Sequence, residues 1–485
     1  MASDVVRPLD DAEADALLAQ LAPYYSLIVA VSGGADSTAL MHFVAGWCRR
    51  RGTADCQMLA ITIDHGLRPE GAGEAAEVAR QAAGLGIEHR TLRWSGPKPT
   101  TGIQAAARTA RYDFLHAIAV EAGHSSPTAI LTAHTADDQA ETLLMRLARG
   151  SGVDGLASIP AVGCLQRPDR WGQILSYPLI RPLLAVPHAR LVATLRVAGI
   201  PFADDPSNRD SRFERVRVRE ALSLLEGLGF DRIALARTAD RMQAARVALE
   251  LATDRLAERA VEPVLGLVYE IDKDMLGEAP EETGIRLLRR MLALAGGAGR
   301  PAELSTIENA YRQLSQAKAG RMALTLGGCI VETFRREAGQ REAGDRTWLR
   351  IYREPARDGG PPPILLNSGE HGLWDRRVWA SVSPEYPGSL SFGAIGADWP
   401  ALVSQHTCLA SLPMPVAAAS GIPAFRDAGV IVAVPSLASY ASSRGDEAAG
   451  LALGGPRSAS ASSQRRPLLR AWTVQPSAMQ EPSDP

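Results

Sequence analysis

Lysine is nearly missing from this sequence. Lys98, Lys273 and Lys318 are the only three among 52 basic side chains, and arginine supplies the other 49. No lysine precedes Lys98, so a glycine-rich loop near the N-terminus cannot be of the G-x-x-x-x-G-K-[ST] kind, whose lysine reaches the phosphates. The five cysteines, Cys48, Cys56, Cys164, Cys329 and Cys408, form no CxxC pair. That argues for reduced thiols and against a zinc or iron–sulfur centre. No apolar run reaches the ~18 residues of a membrane span. The acidic start MASDVVRPLDDAEADALL has no apolar signal core. A net charge of −2 excludes a uniformly basic nucleic-acid coat and leaves only local basic patches. A cytoplasmic protein with no membrane partner is expected.

What is present is a chain of 485 residues, too long for one ordinary domain, so two or three are expected. Its start alternates two periodicities. Candidate strands 27–31, 58–63, 89–94 and 129–133 are each followed by a helical stretch, at 38–51, 74–83, 103–122 and 137–148. Such alternation predicts a doubly wound α/β fold with a mostly parallel sheet. Ligands of such sheets bind beyond the carboxyl ends of the strands. Three of the four strand ends carry polar chemistry: SGGADS, DHGLR and AHTADD.

The rest of the chain divides by composition. A catalytic domain is expected over 1–225, with a helix near 187–198. A second domain is expected over 226–355. It has helical stretches near 230–260, 282–297 and 303–318, then strand-like MALTLGGCIVETF and TWLRIYRE. ARDGGPPPILL reads as a linker, followed by a small α+β region at 366–437. The Ser/Ala/Gly/Arg-rich tail, 438–485, is expected to be disordered.

The first motif is LIVAVSGGADSTALMHF, residues 27–43. Gly33 and Gly34 allow a tight turn, Ser32 and Ser37 add hydroxyls, and the next helix aims its N–H groups at the loop. That makes an anion site. Asp36 would repel a bare phosphate, so a phosphate-bound metal is one explanation and a plain helix cap is the other. Asp137 and Glu141 are four apart on one helix, with Asp138 adjacent. They could hold Mg²⁺ or an ammonium, or form a solvated acidic helix start. His134 could act as a general base, bond a phosphate, or be structural. Asp64 and His65 end the second strand, an edge that commonly meets a base or ribose. Arg108 and Arg111 share a helix face and could neutralise transition-state charge, grip RNA, or stay solvated. Arg212, Arg215, Arg217 and Arg219 put four arginines in eight residues, suited to nucleic-acid phosphates or to an exposed helix. Residues 312–357 hold ten basic and five acidic side chains, a second candidate RNA surface.

SGGADS resembles the SGGxDS loop of the PP-loop ATP pyrophosphatases, which split ATP between the α and β phosphates to activate an oxygen atom. Four further segments resemble one branch, the tRNA(Ile)-lysidine synthase family. DHGLRPEG (64–71) is similar to its DHxLRxES, with Gly71 where serine is usual. IQAAARTARYDFL (103–115) is similar to NxQxxARxxRYxxL, with Gly102 for the asparagine. TAHTADDQAETLLMRLARGSG (132–152) is similar to TAHHxDDQxETxLxRLxRGSG, with Thr135 for a second histidine. RPLL (181–184) and DPSNRDSRFERVRVR (205–219) also fit. The resemblance spans about residues 25–225 and is weaker beyond.

The resemblance implies a PP-loop fold and a ligase joining L-lysine to the wobble cytidine of tRNA(Ile) with a CAU anticodon. ATP would be bound by Ser32, Gly33, Gly34, Ala35, Asp36, Ser37, Asp64 and His65, with Mg²⁺ on Asp36. Lysine would meet Asp137, Asp138 and Glu141, and tRNA would meet Arg212, Arg215, Arg217 and Arg219. Asp36, Arg108, Arg111, His134 and Asp137 would carry the chemistry. A homodimer is among the partners considered. The alternative is a tRNA cytidine thiolase of the same superfamily, which would need a sulfur-handling cysteine pair or cluster.

Overall fold

A computed structural model describes residues 6–51, 56–66, 71–96, 98–99, 101–123, 126–168, 174–203, 214–297, 302–317, 322–336, 346–355, 361–406, 409–410, 412, 414–437 and 469–473. The chain forms two compact units, Met1–Arg167 with Leu175–Val247, and Ala248–Gln480.

The first unit begins with α1 (Asp11–Leu18), β1 (Ser26–Ala30), α2 (Ala35–Arg50), β2 (Gln57–Asp64), α3 (Gly71–Leu85), β3 (Glu88–Arg93), α4 (Ile103–Glu121), β4 (Thr128–Leu131) and α5 (Ala136–Ala148). It continues with α6 (Val153–Leu156), β5 (Val162–Pro168), β6 (Ile174–Ile180), α7 (His188–Val197) and α8 (Glu214–Glu226). Its sheet has the order β3-β2-β1-β4-β6-β5. The pairs β1–β2, β1–β4, β2–β3 and β4–β6 are all parallel. All four strands expected in the first 150 residues are present, each within two residues of its expected ends.

Both faces of this sheet are covered, as the period-2 alternation of its strands requires. Leu27 and Val29 turn to one face, where Leu40, Met41, Val44 and Trp47 of α2, Val78 of α3, and Leu191 and Leu195 of α7 pack on them. Ile28 turns to the other, against Tyr112, Leu115 and Ile118 of α4. The order also fixes where a ligand can enter. From β1 the chain builds outward through β2 and β3, then returns to place β4 on the opposite side of β1. The crevice of a doubly wound sheet opens at that switch, beyond the carboxyl ends of β1 and β4. SGGADS follows β1 and AHTADD follows β4.

The division between the units falls inside α9 (Arg232–Ala260). A single long helix carries the chain across, so no loop marks the boundary. The second unit adds β7 (Val261–Val264), β8 (Val268–Asp272), α10 (Lys273–Glu278), α11 (Glu281–Gly296), α12 (Leu304–Gln316), β9 (Ala323–Leu326), β10 (Cys329–Arg336) and β11 (Arg346–Arg353). These strands form a sheet of order β7-β8-β11-β10-β9. One face, with Ile271, Val331, Leu349 and Ile351, packs on Leu288, Met291 and Leu292 of α11 and Ile307, Tyr311 and Leu314 of α12. On Glu270, which is fully buried, the guanidinium groups of Arg336 and Arg350 converge. Arg346 pairs with Asp272 at 3.3 Å, and Arg353 with Asp375 at 3.2 Å. Much of the positive charge of 312–357 is therefore neutralised within the unit.

The same unit closes with β12 (Ile364–Asn367), β13 (His371–Trp374), β14 (Val378–Val382), β15 (Ser389–Ala394), α13 (Trp399–Gln405), α14 (Val416–Ser420), β16 (Pro423–Asp427), β17 (Val430–Ala433) and β18 (Leu469–Thr473). Their core centres on Trp374, Phe392 and Phe425. The expected small α+β region at 366–437 thus has its own core within the second unit. Arg377 reaches back to donate to the Ala295 carbonyl at 2.9 Å, at the end of α11.

β18 corrects the expectation of a wholly disordered tail. Leu469–Thr473 pairs antiparallel with β14 from Val378↔Thr473 to Val382↔Leu469. A sheet edge presents unpaired N–H and C=O groups that an extended segment can satisfy, and β14 offers one. Polar composition hid a strand of only five residues. Ending the chain after Leu437 reopens that edge. We expect a lower thermal midpoint for the second unit and unchanged ATP binding by the first, read by thermal unfolding and nucleotide titration.

Candidate active site

The loop after β1 is held in shape by its own side chains. Ser37 Oγ accepts from the Ser32 amide at 3.1 Å and donates to the Gly34 carbonyl at 3.1 Å. Thr38 Oγ1 donates to the Gly33 carbonyl at 3.3 Å, and the Ala203 amide donates to the same carbonyl at 2.9 Å. Ser32 and Ser37 therefore brace the turn before any ligand arrives. Gly33 has φ +90°, a conformation that strains any L side chain. Gly34 begins α2 in extended conformation with no side-chain cap. The first N–H groups of α2 thus lack a partner within their helix and face the turn, as an anion site requires.

Asp36 lies on the first turn of α2. Its Oδ1 accepts from Nδ1 of His188 at 2.7 Å. His188 is the first residue of α7, and its backbone N–H donates to Oδ2 of Asp137 at 2.7 Å. One residue thereby ties together the carboxylates that follow β1 and β4, 101 positions apart in sequence. Asp137 also takes an ion pair from Arg232 at 3.0 Å. Burial raises the Asp36 carboxyl above its ordinary value, the His188 hydrogen bond opposes this, and the charges of Asp138 and Asp137 add to the rise. The Asp36 hydrogen bond in turn raises His188. Asp36, Asp137 and Asp138 thus gather negative charge that Arg232 and His188 partly offset.

The other acidic candidates have different partners. Asp138 closes a capping box: its Oδ2 accepts from the Thr135 amide at 2.8 Å and from Thr135 Oγ1 at 3.1 Å. Thr135, noted above in place of a histidine, is what makes that cap. Glu141 is fully buried and binds Arg219 at 2.7 Å, with Arg215 at 3.9 Å. Burial raises its carboxyl and the Arg219 hydrogen bond opposes that. Of the three carboxylates expected to meet lysine, Asp138 thus caps its own helix, Glu141 pairs with Arg219, and Asp137 pairs with His188 and Arg232. Arg215 and Arg219 turn inward to Glu141, whereas Arg217 faces solvent. Arg212 lies outside the described residues.

His134 accepts from or donates to Thr132 Oγ1 through Nδ1 at 3.1 Å. A second polar group forms beyond β2 and β3. The Asp64 carboxylate accepts from the Gly66 amide at 2.8 Å. Gly71 stands beneath it, where a Cβ would come 3.3 Å from Oδ1, so the missing serine leaves room for the carboxylate. His65 packs edge-on to Trp94. Burial and the charge of Arg111 push its imidazole down to about 4, so it is neutral at pH 7. Among the described residues its buried Nδ1 has no hydrogen-bond partner. Arg108 bonds Tyr112 OH at 3.2 Å, and Arg111 is exposed on the same helix.

Sequence reasoning missed His188 and Arg232. RPLL pointed toward α7, but nothing marked the histidine seven residues after Arg181 as a partner of Asp36. Among the described residues no cluster of three or more His, Cys, Asp or Glu side chains forms a ready metal cage. No described helix is long and apolar enough to cross a membrane.

A parallel sheet with a braced, lysine-free phosphate loop at its switch point defines an ATP-binding PP-loop domain, and the model of that domain matches residues 9–225. Relatives resolve the branch. The chain is 45% identical over 329 residues to a tRNA(Ile)-lysidine synthase of Bradyrhizobium diazoefficiens, covering 67% of this chain and 87% of that one. It is 45% identical to that of Rhodopseudomonas palustris, covering 66% and 91%. It is 41% identical to that of Ruegeria pomeroyi, covering 75% and 78%. The chain belongs to the tRNA(Ile)-lysidine synthase family.

Proposed function

We propose that this chain ligates L-lysine to C2 of the wobble cytidine of tRNA(Ile) with a CAU anticodon, yielding lysidine, AMP and diphosphate. The observation that carries this reading is the His188 bridge, which joins the phosphate-loop carboxylate to Asp137 at the crevice of a lysidine-synthase relative. ATP would lie with its phosphates on the N–H groups of Gly34–Ser37 and its adenosine toward His65. The acidic corner fits Mg²⁺, with Asp36 as its ligand. Bound there, the ion would offset charge on the departing diphosphate.

The cytosine O2 attacks the α-phosphate and diphosphate leaves, which makes that oxygen part of a good leaving group. The ε-amine of lysine then attacks C2, its C–N bond forms, and AMP departs with the former O2. The amine must lose a proton first, and Asp137 or His134 would take it. Asp137 would hold the incoming ammonium in place of Arg232. Arg108 and Arg111 remain candidates for neutralising the activated cytidine, and Arg217 for tRNA phosphates. Lysidine pairs with A rather than G, so the product changes what the anticodon reads. A cytosolic location and a homodimer suit this reading.

The order of steps is the test. With α-labelled ATP, unmodified tRNA and no lysine, label should become attached to the tRNA. Adding lysine should release it as AMP. Label released as AMP without ever joining the tRNA would reject the adenylated intermediate.

A further inference from the structure

Cys48 and Cys56 look unrelated in sequence, being eight residues apart with no motif between them. In the fold their sulfurs are 2.9 Å apart. Cys48 lies in the last turn of α2, and Cys56 directly precedes β2. The start of β2 is anchored there by the Gln57 amide, which donates to the Tyr25 carbonyl at 2.8 Å. Both thiols are half-buried and line a shallow pocket with Arg49, Met58, Leu85 and Ile87.

We propose that Cys48 and Cys56 form an oxidation site, a dithiol that peroxide converts to an intrachain disulfide. A disulfide needs the sulfurs at a bonding distance of about 2 Å, closer than the 2.9 Å that separates the free thiols. The two thiols are not equivalent. Either sulfur can donate to the other; with Cys48 donating, the bond holds the Cys56 thiol below its usual range, while the charge of Arg51 lowers both thiols. Cys48 is raised by the same bond. Arg51 is itself fixed over the Trp47 ring at 4.6 Å. With Cys48 donating, Cys56 is the attacking sulfur. Its thiolate cleaves the O–O bond of hydrogen peroxide, giving a sulfenic acid and one water after protonation. Cys48 then displaces the second oxygen as water, forming the S–S bond. Two thiols are oxidised, one peroxide is reduced to two waters, and no other reactant is needed.

The pair stands apart from the substrate. Asp36 and Cys48 are twelve residues apart on one helix, about 18 Å at 1.5 Å per residue. Cys56 precedes the amino end of β2, whereas ligands enter at the carboxyl ends. The pair is thus no sulfur donor for a thiolase.

The full chain treated with hydrogen peroxide, capped with N-ethylmaleimide and digested with trypsin tests this directly. Cleavage after Arg49 and Arg51 puts the two cysteines on separate peptides. The expected product is the pair linked and lighter by two hydrogens, reversed by dithiothreitol. Cys56 should be consumed about tenfold faster than the exposed Cys164. In Cys48→Ser the linked peptide disappears and Cys56 accumulates as sulfenic acid. The proposal is overturned if Cys164 oxidises while Cys48 and Cys56 stay capped, or if Cys56→Ser leaves the peroxide reactivity of Cys48 unchanged.

Discussion

Asp36→Asn should lower adenylation of the tRNA by at least about a hundredfold while the protein stays folded. The amide keeps the size of the side chain and its place on α2 but removes the charge at the head of the phosphate loop. The lost His188 contact is a half-exposed pair, so it contributes little to stability. The loop hydrogen bonds of Ser37 and Thr38 do not involve Asp36 and remain. Single-turnover release of labelled diphosphate measures the step, and the thermal midpoint serves as control. A rate within a few-fold of the unsubstituted chain would remove Asp36 from the chemistry.

Arg219→Met should destabilise the first unit by about 2–3 kcal/mol at pH 7.5, because it leaves the buried carboxylate of Glu141 without its closest cation. This is below the usual loss of about 3–5 kcal/mol for a fully buried pair, since Arg219 is itself 44% exposed and Arg215 stands 3.9 Å from Glu141. The loss carries a pH signature. Burial already raises the Glu141 carboxyl above its unfolded value, and removing Arg219 raises it further. The folded state then binds more protons than the unfolded chain, so stability falls as pH rises through the interval between the two values. The variant should regain stability on moving from pH 7.5 to pH 5, and Glu141→Gln added to it should flatten that dependence. Urea unfolding at the two pH values measures both effects. Equal losses at both would show that Arg219 acts by packing alone.

Local pattern carried the first unit because each of its signals is short-range. The alternating strand β1, the Gly33–Gly34 turn and the apolar stripe of α2 all lie within 25 residues of one another. The partners of the carboxylates do not. Asp36 meets His188 across 152 positions and Glu141 meets Arg219 across 78. No periodicity reports such a pairing, so the Arg219 partner of Glu141 was not legible. The same limit explains the arginines of α8, whose stripe is legible but whose direction depends on α5. In the second unit the strand-like stretches that form β9, β10 and β11 were legible, though not the turn that pairs β9 with β10. β7 and β8 are short and lie between helices, and β18 gains its order only from the edge of β14.

The central claim is lysine transfer to a cytidine, and one measurement addresses it. The purified chain is incubated with ATP, labelled L-lysine and an unmodified tRNA(Ile) transcript bearing CAU, and the digested nucleosides are separated. Labelled lysidine at the wobble position, dependent on ATP and absent with the Asp36→Asn chain, is the predicted result. An unmodified cytidine, or a thiolated one when a sulfur donor is supplied, would contradict the account.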